Sequence, residues 1–245
     1  MIKGGARLDI RVVELGLLTS RHKAQALIRA GSVLVNGQVQ DKPDFGVVPS
    51  DSISIKAKEP YVSRGGIKLA GALEDLRVDV AGKEVLDVGA STGGFTDCLL
   101  QRGASGVTAV DVGYGQIAQL LRDDPRVTLL ERINARYLKP ADFPRKFDMA
   151  TIDVSFISLD KILPAVTPLL KSGGEILALI KPQFEAGRAQ VKKGVVRDTR
   201  VHESVVEDVK KTLGTLGCEV LGVATSVLQG PKGNIEFFIR SKTRE

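Results

Sequence analysis

The sequence predicts an α/β protein in which a sheet of seven strands, with helices on both faces, follows a small α+β unit. From residue 64 onward, apolar stretches of strand length alternate with segments of helical periodicity, which is typical of a mainly parallel sheet. The first 58 residues instead combine two short amphipathic segments with an Asn-Gly turn between β-like segments, a pattern typical of a hairpin. Periodicity is lost around Pro60, so residues 59–63 are the predicted linker. The predicted domains are therefore 1–58 and 64–245.

Composition limits the possible classes of function. Of the 245 residues, 43% are hydrophobic and 26% are charged, which is typical of soluble globular proteins and excludes a mostly disordered or fibrous chain. The longest apolar runs, such as 176–180, are much shorter than the roughly 20 residues of a membrane-spanning helix. The N-terminal sequence lacks the long apolar core of a secretory signal. We therefore expect a cytoplasmic protein with no membrane partner.

The two cysteines, Cys98 and Cys218, do not form a CxxC pair, and the chain has only two histidines. These residues are too few for a cysteine- and histidine-based metal site, so no metal is expected. Both cysteines are expected to be buried thiols in a reducing compartment.

The first unit is predicted to contain two helices followed by short strands. Leu8 and Val12 begin an apolar series with spacings of three and four residues, which predicts a helix that ends near Gly16. Thr19 and Ser20 are candidate N-caps of a second helix. The remaining predicted features are a helix end at Gly31, strands at 32–35 and 38–39 joined by Asn36-Gly37, and a strand at 51–56.

Positive charge is concentrated near the N-terminus. The net charge of the chain is +6, and residues 1–35 contain six Lys and Arg residues against two acidic residues, a local net charge of +4. In isolation such cations are most often an ordinary solvated helix face, although a basic patch also suits a nucleic-acid partner.

Many positions of this unit occur at a fixed spacing: Arg7-Leu8-Asp9, Gly16-Leu17, Ser20-Arg21, Ala24, Ile28, Gly31, Val33, Val35-Asn36-Gly37 and Lys42-Pro43. This pattern resembles the RNA-binding module named after ribosomal protein S-four. The resemblance implies that the second helix and the following turn dock on folded RNA, where basic side chains contact phosphates. The expected RNA-binding residues are Arg7, Arg21, Lys23, Arg29 and, at the start of the second domain, Arg64.

The second unit is predicted to alternate strands and helices. Its last two strands follow each other without room for an intervening helix, unlike the earlier ones. The predicted strands are 85–88, 106–110, 127–130, 147–154, 174–180, 218–224 and 235–240, and the predicted helices include 67–76 and 201–216.

A glycine-rich loop at 89–94 follows the first strand of this unit and precedes a helix. Its glycines let a ligand approach the backbone at the carboxyl end of a strand. Asp111 ends the next strand, where an acid can accept hydrogen bonds from both hydroxyls of an adenosine ribose. Ser91 replaces the middle glycine of the GxGxxG fingerprint, which favours S-adenosylmethionine, a cofactor without a pyrophosphate, over a nicotinamide. A tight turn without a ligand is the alternative. The candidate cofactor-binding residues are Asp87, Gly89, Ser91, Thr92, Gly93, Gly94, Phe95 and Asp111.

Four ionisable residues lie where strands are predicted to end or helices to begin. Asp153 and Lys181 close neighbouring strands, so we expect both at the sheet edge that holds the glycine-rich loop. Lys68 follows the segment 63–66, and Glu236 lies in the final predicted strand. A lysine that emerges from a buried strand can lose its charge and take a proton from a hydroxyl group. Each residue alone is compatible with a surface charge or an ion pair, but the four together predict a proton-transfer site.

Six segments of the chain carry a further resemblance: 63–69, 87–97, 131–136, 153–158, 180–185 and 194–198. They are similar to the TlyA family, which joins the S-four module to an FtsJ-like methyltransferase domain. The resemblance implies a Rossmann-like, seven-stranded methyltransferase sheet whose last strand is antiparallel. It also implies transfer of a methyl group from S-adenosylmethionine to the ribose 2′-hydroxyl of a cytidine in ribosomal RNA, within a ribosomal subunit. The catalytic tetrad of the family would then be Lys68, Asp153, Lys181 and Glu236, and Asn134 would contact the adenine side of the cofactor.

The sequence leaves three alternatives to a methyltransferase. The first is an RNA-binding ribosome assembly factor whose cofactor fold is idle, and the second is an oxidoreductase, which Ser91 disfavours. Some members of the family are called haemolysins, but a pore-forming protein is disfavoured because the sequence has neither an apolar span nor long amphipathic β-hairpins. The sequence predicts no particular oligomeric state, ribosomal subunit or nucleotide.

Overall fold

The computed structural model describes residues 5–56 and 59–244, and the chain divides into two compact units between Glu59 and Pro60. In the first unit, the helices α1 (Leu8–Glu14) and α2 (Arg21–Arg29) pack against short strands. The strands are β1 (Ala6–Arg7), β2 (Val33–Val35), β3 (Gln38–Gln40), β4 (Gly46–Val47) and β5 (Ile53–Ile55). They pair in antiparallel fashion, β3-β2-β5 in one sheet and β1-β4 in another. The core of the unit consists of Leu8, Val12, Ala24, Ile28, Val33, Val35 and Val47.

Two local predictions for this unit are confirmed. Ser20 is the N-cap of α2, and its hydroxyl accepts a hydrogen bond from the backbone N–H of Lys23. Asn36 and Gly37 both have positive φ, 53° and 79°, as a two-residue turn of the type I′ hairpin requires. The β2–β3 hairpin therefore follows from its turn residues.

The first helix ends close to Gly16, as its sequence predicts. It ends at Glu14, because the chain turns at Gly16, where φ is +69° and a left-handed conformation stops the helix. Leu15 is consequently 44% exposed instead of lying on the buried face of the helix.

The second unit contains the predicted seven-stranded sheet. Its strands are β6 (Glu84–Val88), β7 (Gly106–Asp111), β8 (Val127–Glu131), β9 (Phe147–Ile152), β10 (Leu170–Ile180), β11 (Cys218–Thr225) and β12 (Phe237–Thr243). Their order across the sheet is β11-β12-β10-β9-β6-β7-β8. All pairings among strands β6 to β10 are parallel. Strand β12 is antiparallel to both of its neighbours, β10 and β11. The expected antiparallel last strand is thus present.

Helices cover both faces of this sheet. Along β10, Ile176, Ala178 and Ile180 belong to an apolar cluster that includes residues of the last helix, whereas Leu177 and Leu179 belong to a second cluster on the other side. Burial of both faces explains why this strand is apolar without interruption. The helices are α3 (Arg64–Asp75), α4 (Gly94–Gln101), α5 (Gln119–Arg122), α6 (Leu163–Val166), α7 (Pro182–Glu185) and α8 (Thr199–Thr215). Within the described ranges, no helix has the length and apolar character needed to cross a bilayer.

The strand order creates a crevice at the carboxyl edge of the sheet. The chain runs outward from β6 through β7 and β8 on one side, then returns to β9 and β10 on the other. Ligands of open α/β sheets bind where the order reverses in this way, which here is between β6 and β9.

Part of the predicted linker belongs to the second unit. Tyr61 and Val62 pack against its apolar cluster, and the backbone N–H of Val62 donates a hydrogen bond to the Asp97 carboxylate at 2.8 Å. The chain therefore enters this unit before α3 begins.

Candidate active site

The glycine-rich loop connects β6 to α4 and brings two strand ends into close contact. Gly89 has a φ of +86°, and a Cβ atom at this position would lie only 2.5 Å from the carbonyl oxygen of Asp153. Gly93 has a φ of +94°, and a Cβ atom there would overlap the Leu121 side chain. Both positions therefore require glycine for conformation as well as for space.

A first cavity of about 480 Å³ lies along this loop at the carboxyl edge of the sheet, within the size range of small-molecule sites. Asp111 lines it, and its two carboxylate oxygens accept the backbone N–H groups of Ser91 and Gly113, each at 2.7 Å. Each oxygen keeps a second lone pair for a ligand. Asn134 also lines this cavity, and its side-chain oxygen caps a turn by accepting the N–H of Arg136.

Asp87 does not line the cavity. Its side chain is fully buried in β6, and its two oxygens accept hydrogen bonds from the hydroxyls of Thr96 at 2.7 Å and Thr151 at 2.9 Å. Burial raises the pKa of this carboxyl to about 6, against the opposing effect of the two hydroxyls. Asp87 thus contacts the elements beneath the loop, rather than the space where a cofactor would lie.

The other predicted cofactor-binding residues are divided between two adjoining cavities. Gly89 and Ser91 line both the first cavity and a second cavity of about 280 Å³. Phe95 lines the second, where it is buried and its ring stacks on Phe238 at a centroid distance of 5.9 Å. Thr92 and Gly94 also line the second cavity, whereas Gly93 lines neither.

Lys68, Asp153, Lys181 and Glu236 form two ion pairs at this edge of the sheet. Lys68 Nζ lies 2.5 Å from Glu236 Oε2, and Lys181 Nζ lies 2.5 Å from Asp153 Oδ1. Asp153 and Lys181 directly follow β9 and β10, while Glu236 directly precedes β12. Because β12 runs antiparallel, its first residues lie at the edge where the parallel strands end.

Two polar residues that the sequence analysis missed hold these pairs. Lys181 donates a hydrogen bond to the hydroxyl of Ser155 at 2.9 Å. Its contact with Asp153 is an ion pair that lacks the geometry of a hydrogen bond. Gln183 donates to the second oxygen of Glu236 at 3.1 Å. Ser155 lies two positions after Asp153, and Gln183 lies two positions after Lys181. This spacing from a candidate catalytic residue was the one feature of the sequence that could have identified them as part of the site.

The ion pairs lie between the glycine-loop cavities and a third cavity of about 540 Å³. Lys68 and Lys181 line both the second and the third cavities, and Ser155 lines all three. Phe156 lines both the first and the third cavities. It is 90% exposed with a φ of +64°, and its ring lies 4.9 Å from that of Phe184. The edge therefore offers a continuous path from Asp111 past two amines to an aromatic surface.

The predicted RNA-binding residues are all on the surface of their units. Arg7 and Arg21 share a buried acid, Asp9, whereas Arg29 lies exposed in the last turn of α2. Lys23 donates to the hydroxyl of Thr19 at 3.3 Å. In the second unit, Arg64 lines the second cavity and donates to the carbonyl of Gln229 at 2.9 Å.

Two family models match the chain. Residues 61–243 match the model of the FtsJ-like methyltransferases, and residues 6–53 match the S4 domain. The two matches together span both compact units.

Individual relatives are similar over nearly the whole chain. The Bacillus subtilis protein YqxC, provisionally named an rRNA methyltransferase, is 48% identical over 95% of this chain and 84% of its own length. The 16S/23S rRNA (cytidine-2′-O)-methyltransferase TlyA of Mycobacterium tuberculosis is 45% identical over 98% of this chain and 90% of its own length. A solved protein from Streptococcus thermophilus, described provisionally as a hemolysin, is 43% identical and superimposes with a TM-score of 0.76 over 98% of this chain and 89% of that one.

Proposed function

The chain belongs to the FtsJ-like methyltransferase family, and we propose that it transfers a methyl group from S-adenosylmethionine to the ribose 2′-hydroxyl of a cytidine in ribosomal RNA. The observation that carries this proposal is the pair of lysine–carboxylate contacts at the wall between the glycine-loop cavities and the third cavity. The name of the M. tuberculosis relative supports the choice of substrate. We propose that the RNA is presented within a ribosomal subunit, so that the reaction takes place in the cytoplasm.

The residues of the first cavity suit S-adenosylmethionine. When bound, this cofactor supplies a methyl group on a positively charged sulfur. Asp111 can accept hydrogen bonds from the ribose hydroxyls of the adenosine, because each carboxylate oxygen has a free lone pair. Asn134 lies on the same cavity, at a position suited to the adenine. Gly89 is in close contact with the backbone of Asp153, so the loop that would hold the cofactor adjoins the ion pairs.

Lys181 is the residue we assign to the 2′-hydroxyl. As a neutral amine it takes the proton of this hydroxyl, whereas as an ammonium it donates a hydrogen bond to the oxygen as negative charge develops. Ser155 and Asp153 fix the position of its amine. Lys68 is fixed by Glu236, which Gln183 holds from the other side. Alignment of the two reactants is worth roughly 7–11 kcal/mol in favourable cases. The fixed positions of the two amines should therefore contribute to the rate alongside their basicity.

The third cavity is the proposed site of the target nucleotide. A cytidine must leave its stack before its ribose reaches the sheet edge, which costs a few kcal/mol that binding must offset. Phe156, which is exposed beside Phe184, offers a stacking surface for the base. The S4 domain and Arg64 supply contacts to folded RNA that read its shape and phosphates.

Methyl transfer to purified ribosomal subunits tests the proposal. The protein is incubated with S-adenosylmethionine labelled in the methyl group, and the RNA is then mapped for 2′-O-methyl groups. We expect label on a cytidine ribose. Binding of the subunit without transfer would instead indicate an RNA-binding assembly factor, and label on a base would contradict the proposed acceptor.

A further inference from the structure

The first unit buries one acidic side chain, Asp9, against two arginines, of which Arg7 is partly exposed and Arg21 is exposed. Asp9 lies in the first turn of α1 and has no exposed surface. Its Oδ1 accepts a hydrogen bond from Arg7 Nε at 3.0 Å, and its Oδ2 accepts from Arg7 Nη2 at 3.2 Å and Arg21 Nε at 2.9 Å. Gln25 Nε2 donates to the same Oδ2 at 2.7 Å. One carboxylate thus accepts four hydrogen bonds from three side chains.

This network keeps Asp9 ionised. Burial opposes the charged form, but the hydrogen bonds from Arg7, Gln25 and Arg21 outweigh it and hold the pKa of this carboxyl well below its usual range. The two arginines therefore always have a fixed anion to orient them at physiological pH.

The two arginines keep most of their donors free. A guanidinium has five N–H groups, of which Arg21 uses one and Arg7 uses two in the contact with Asp9. The side chains are 39% exposed at Arg7 and 54% exposed at Arg21. Within the described residues, neither guanidinium makes a hydrogen bond to any other group. Planar N–H pairs that are fixed in orientation and open to solvent match the oxygens of a phosphate.

We propose that Asp9 is a positioning residue for RNA binding, which holds the guanidinium groups of Arg7 and Arg21 in one orientation so that their free N–H groups contact phosphates of folded RNA. The inference rests on the proposed function, because it deepens the role of the S4 domain. Ordering a free arginine on binding carries an entropic penalty, and an arginine that is already ordered avoids much of it. The negative charge of Asp9 cannot itself favour RNA binding, because an acid on a basic surface weakens the attraction to phosphates.

The substitution Asp9→Asn separates orientation from charge. It raises the net charge from +6 to +7, so electrostatics alone predicts tighter RNA binding. Its amide, however, offers donors as well as an acceptor to two cationic donors, so the orientation of Arg7 and Arg21 is lost. We expect the Kd of the full-length protein for purified ribosomal subunits to rise about fivefold or more. Unchanged or tighter binding would overturn the proposal.

Asp41→Asn is the matched control. Asp41 is an exposed acid of the same unit, and its substitution makes the same change in charge. We expect its Kd to be equal to that of the wild type or slightly lower. A loss of affinity equal to that of Asp9→Asn would overturn the proposal, because the effect would then not depend on the two arginines.

NMR of the full-length protein distinguishes lost orientation from lost folding. The Nε–Hε signals of Arg7 and Arg21 should be protected from exchange in the wild type and lose this protection in Asp9→Asn. The methyl signals of the buried Leu8, Val12 and Ile28 should keep their native dispersion. Persistent protection in the variant would contradict the inference.

A second variant decides the matter if Asp9→Asn unfolds the unit. The double substitution Arg7→Lys and Arg21→Lys keeps the charge and the pairing with Asp9, but an ammonium has no planar fork to share between Asp9 and a phosphate. We expect weaker RNA binding from this variant as well, and wild-type affinity would overturn the proposal.

Methyl-transfer kinetics separate this inference from the proposed function. If the wild type methylates the subunits, Asp9→Asn should raise KM for RNA with kcat nearly unchanged, which indicates loss of binding alone. An unchanged KM would reject only the role of Asp9. A wild type that neither binds nor methylates ribosomal RNA would reject the proposed function, and the role of Asp9 with it.

Discussion

Lys68 and Glu236, 168 positions apart in the sequence, are joined by a buried ion pair with an Nζ–Oε2 distance of 2.5 Å. Glu236 is 1% exposed and Lys68 is 9% exposed. Removing one partner from such a pair leaves a buried charge without compensation. The pair therefore links the start of the second unit to its last strand, and it fixes an amine on the wall of two cavities.

Glu236→Gln should lower both activity and stability. The amide can still accept a hydrogen bond from Lys68, but it cannot neutralise the ammonium group. We expect a loss of about 3 kcal/mol in the free energy of unfolding and at least about a tenfold loss of the single-turnover rate, equivalent to about 1.4 kcal/mol. Urea unfolding and single-turnover methyl transfer measure the two effects. The control is Glu203→Gln, an exposed position on α8, and equal behaviour of the two variants would refute the role of Glu236.

Lys181→Ala should abolish methyl transfer while the affinity for S-adenosylmethionine stays similar. General acid–base catalysis contributes about 10²–10⁴-fold, so we expect a loss of at least about a hundredfold in single-turnover rate. Lys171→Ala is the matched control, since Lys171 lies near the other end of β10 and is also ion-paired, with Asp148 at 2.6 Å. Turnover of Lys181→Ala at the wild-type rate would reject the assigned role.

Gly89→Ala should weaken cofactor binding. The new Cβ atom would meet the Asp153 carbonyl oxygen at 2.5 Å, in a residue whose φ is +86°. Local strain of about 1–3 kcal/mol corresponds to a loss of affinity of up to about a hundredfold, which isothermal titration with S-adenosylmethionine would measure. Gly82→Ala controls for conformation alone, because Gly82 has a φ of +71° with no neighbour within 4 Å of the added atom. A wild-type Kd for Gly89→Ala would show that the loop tolerates a side chain.

Phe156→Ala should weaken binding of the RNA substrate. Stacking of a base on an aromatic side chain is worth about 1–3 kcal/mol by alanine substitution, so KM for the ribosomal subunit should rise about 5- to 150-fold. Phe156→Tyr keeps the ring at this exposed position and should stay near the wild type. An unchanged KM for Phe156→Ala would exclude Phe156 as the stacking surface.

The positions of strand ends predicted that the residues of the ion pairs lie close together. They did not predict the polar residues that hydrogen-bond to these pairs. Asp153 and Lys181 close parallel strands, and that topology alone places them at one edge. Glu236 reaches the same edge only because β12 is antiparallel, a feature that the sequence pattern did not contain and the family resemblance supplied. Ser155 and Gln183 escaped notice because their importance depends on side chains they contact across the fold.

Asp87 was expected to contact the cofactor, but its side chain is buried beneath the loop. Its position before the glycine-rich loop suggests contact with a cofactor, yet Thr96 and Thr151 occupy both carboxylate oxygens. Those hydroxyls come from α4 and β9, so only the tertiary structure reveals that this side chain points away from the cavity. This burial raises the pKa of the Asp87 carboxyl, so the stability of the protein should depend on pH through this residue.

Asp87→Asn should become more stable relative to the wild type as pH rises from about 4 to about 6. In the unfolded chain Asp87 ionises near its ordinary pKa of 3.8, whereas burial raises its pKa to about 6 in the folded protein. Between these values the folded state binds more protons than the unfolded state, so the wild type loses stability as pH rises and then levels off. A shift of two pKa units corresponds to roughly 3 kcal/mol. Asparagine at this position does not titrate, and the difference in unfolding free energy should therefore grow by about that amount.

Urea unfolding followed by tyrosine fluorescence measures this difference for the second unit alone, because Tyr61, Tyr114 and Tyr137 all lie there and the chain has no tryptophan. Asp148→Asn is the control of opposite sign. Although burial opposes ionisation of Asp148, hydrogen bonds from Lys171 and the Glu84 backbone outweigh it and lower the pKa of this carboxyl. The wild-type Asp148 therefore contributes stability that is fully present above its unfolded pKa and is lost as pH falls below about 3.8. The asparagine variant should fall further below the wild type as pH rises toward that value, and the difference should then stay constant. Parallel pH profiles for the two variants would refute the assignment of a raised pKa to Asp87, since the two carboxyls must act in opposite directions.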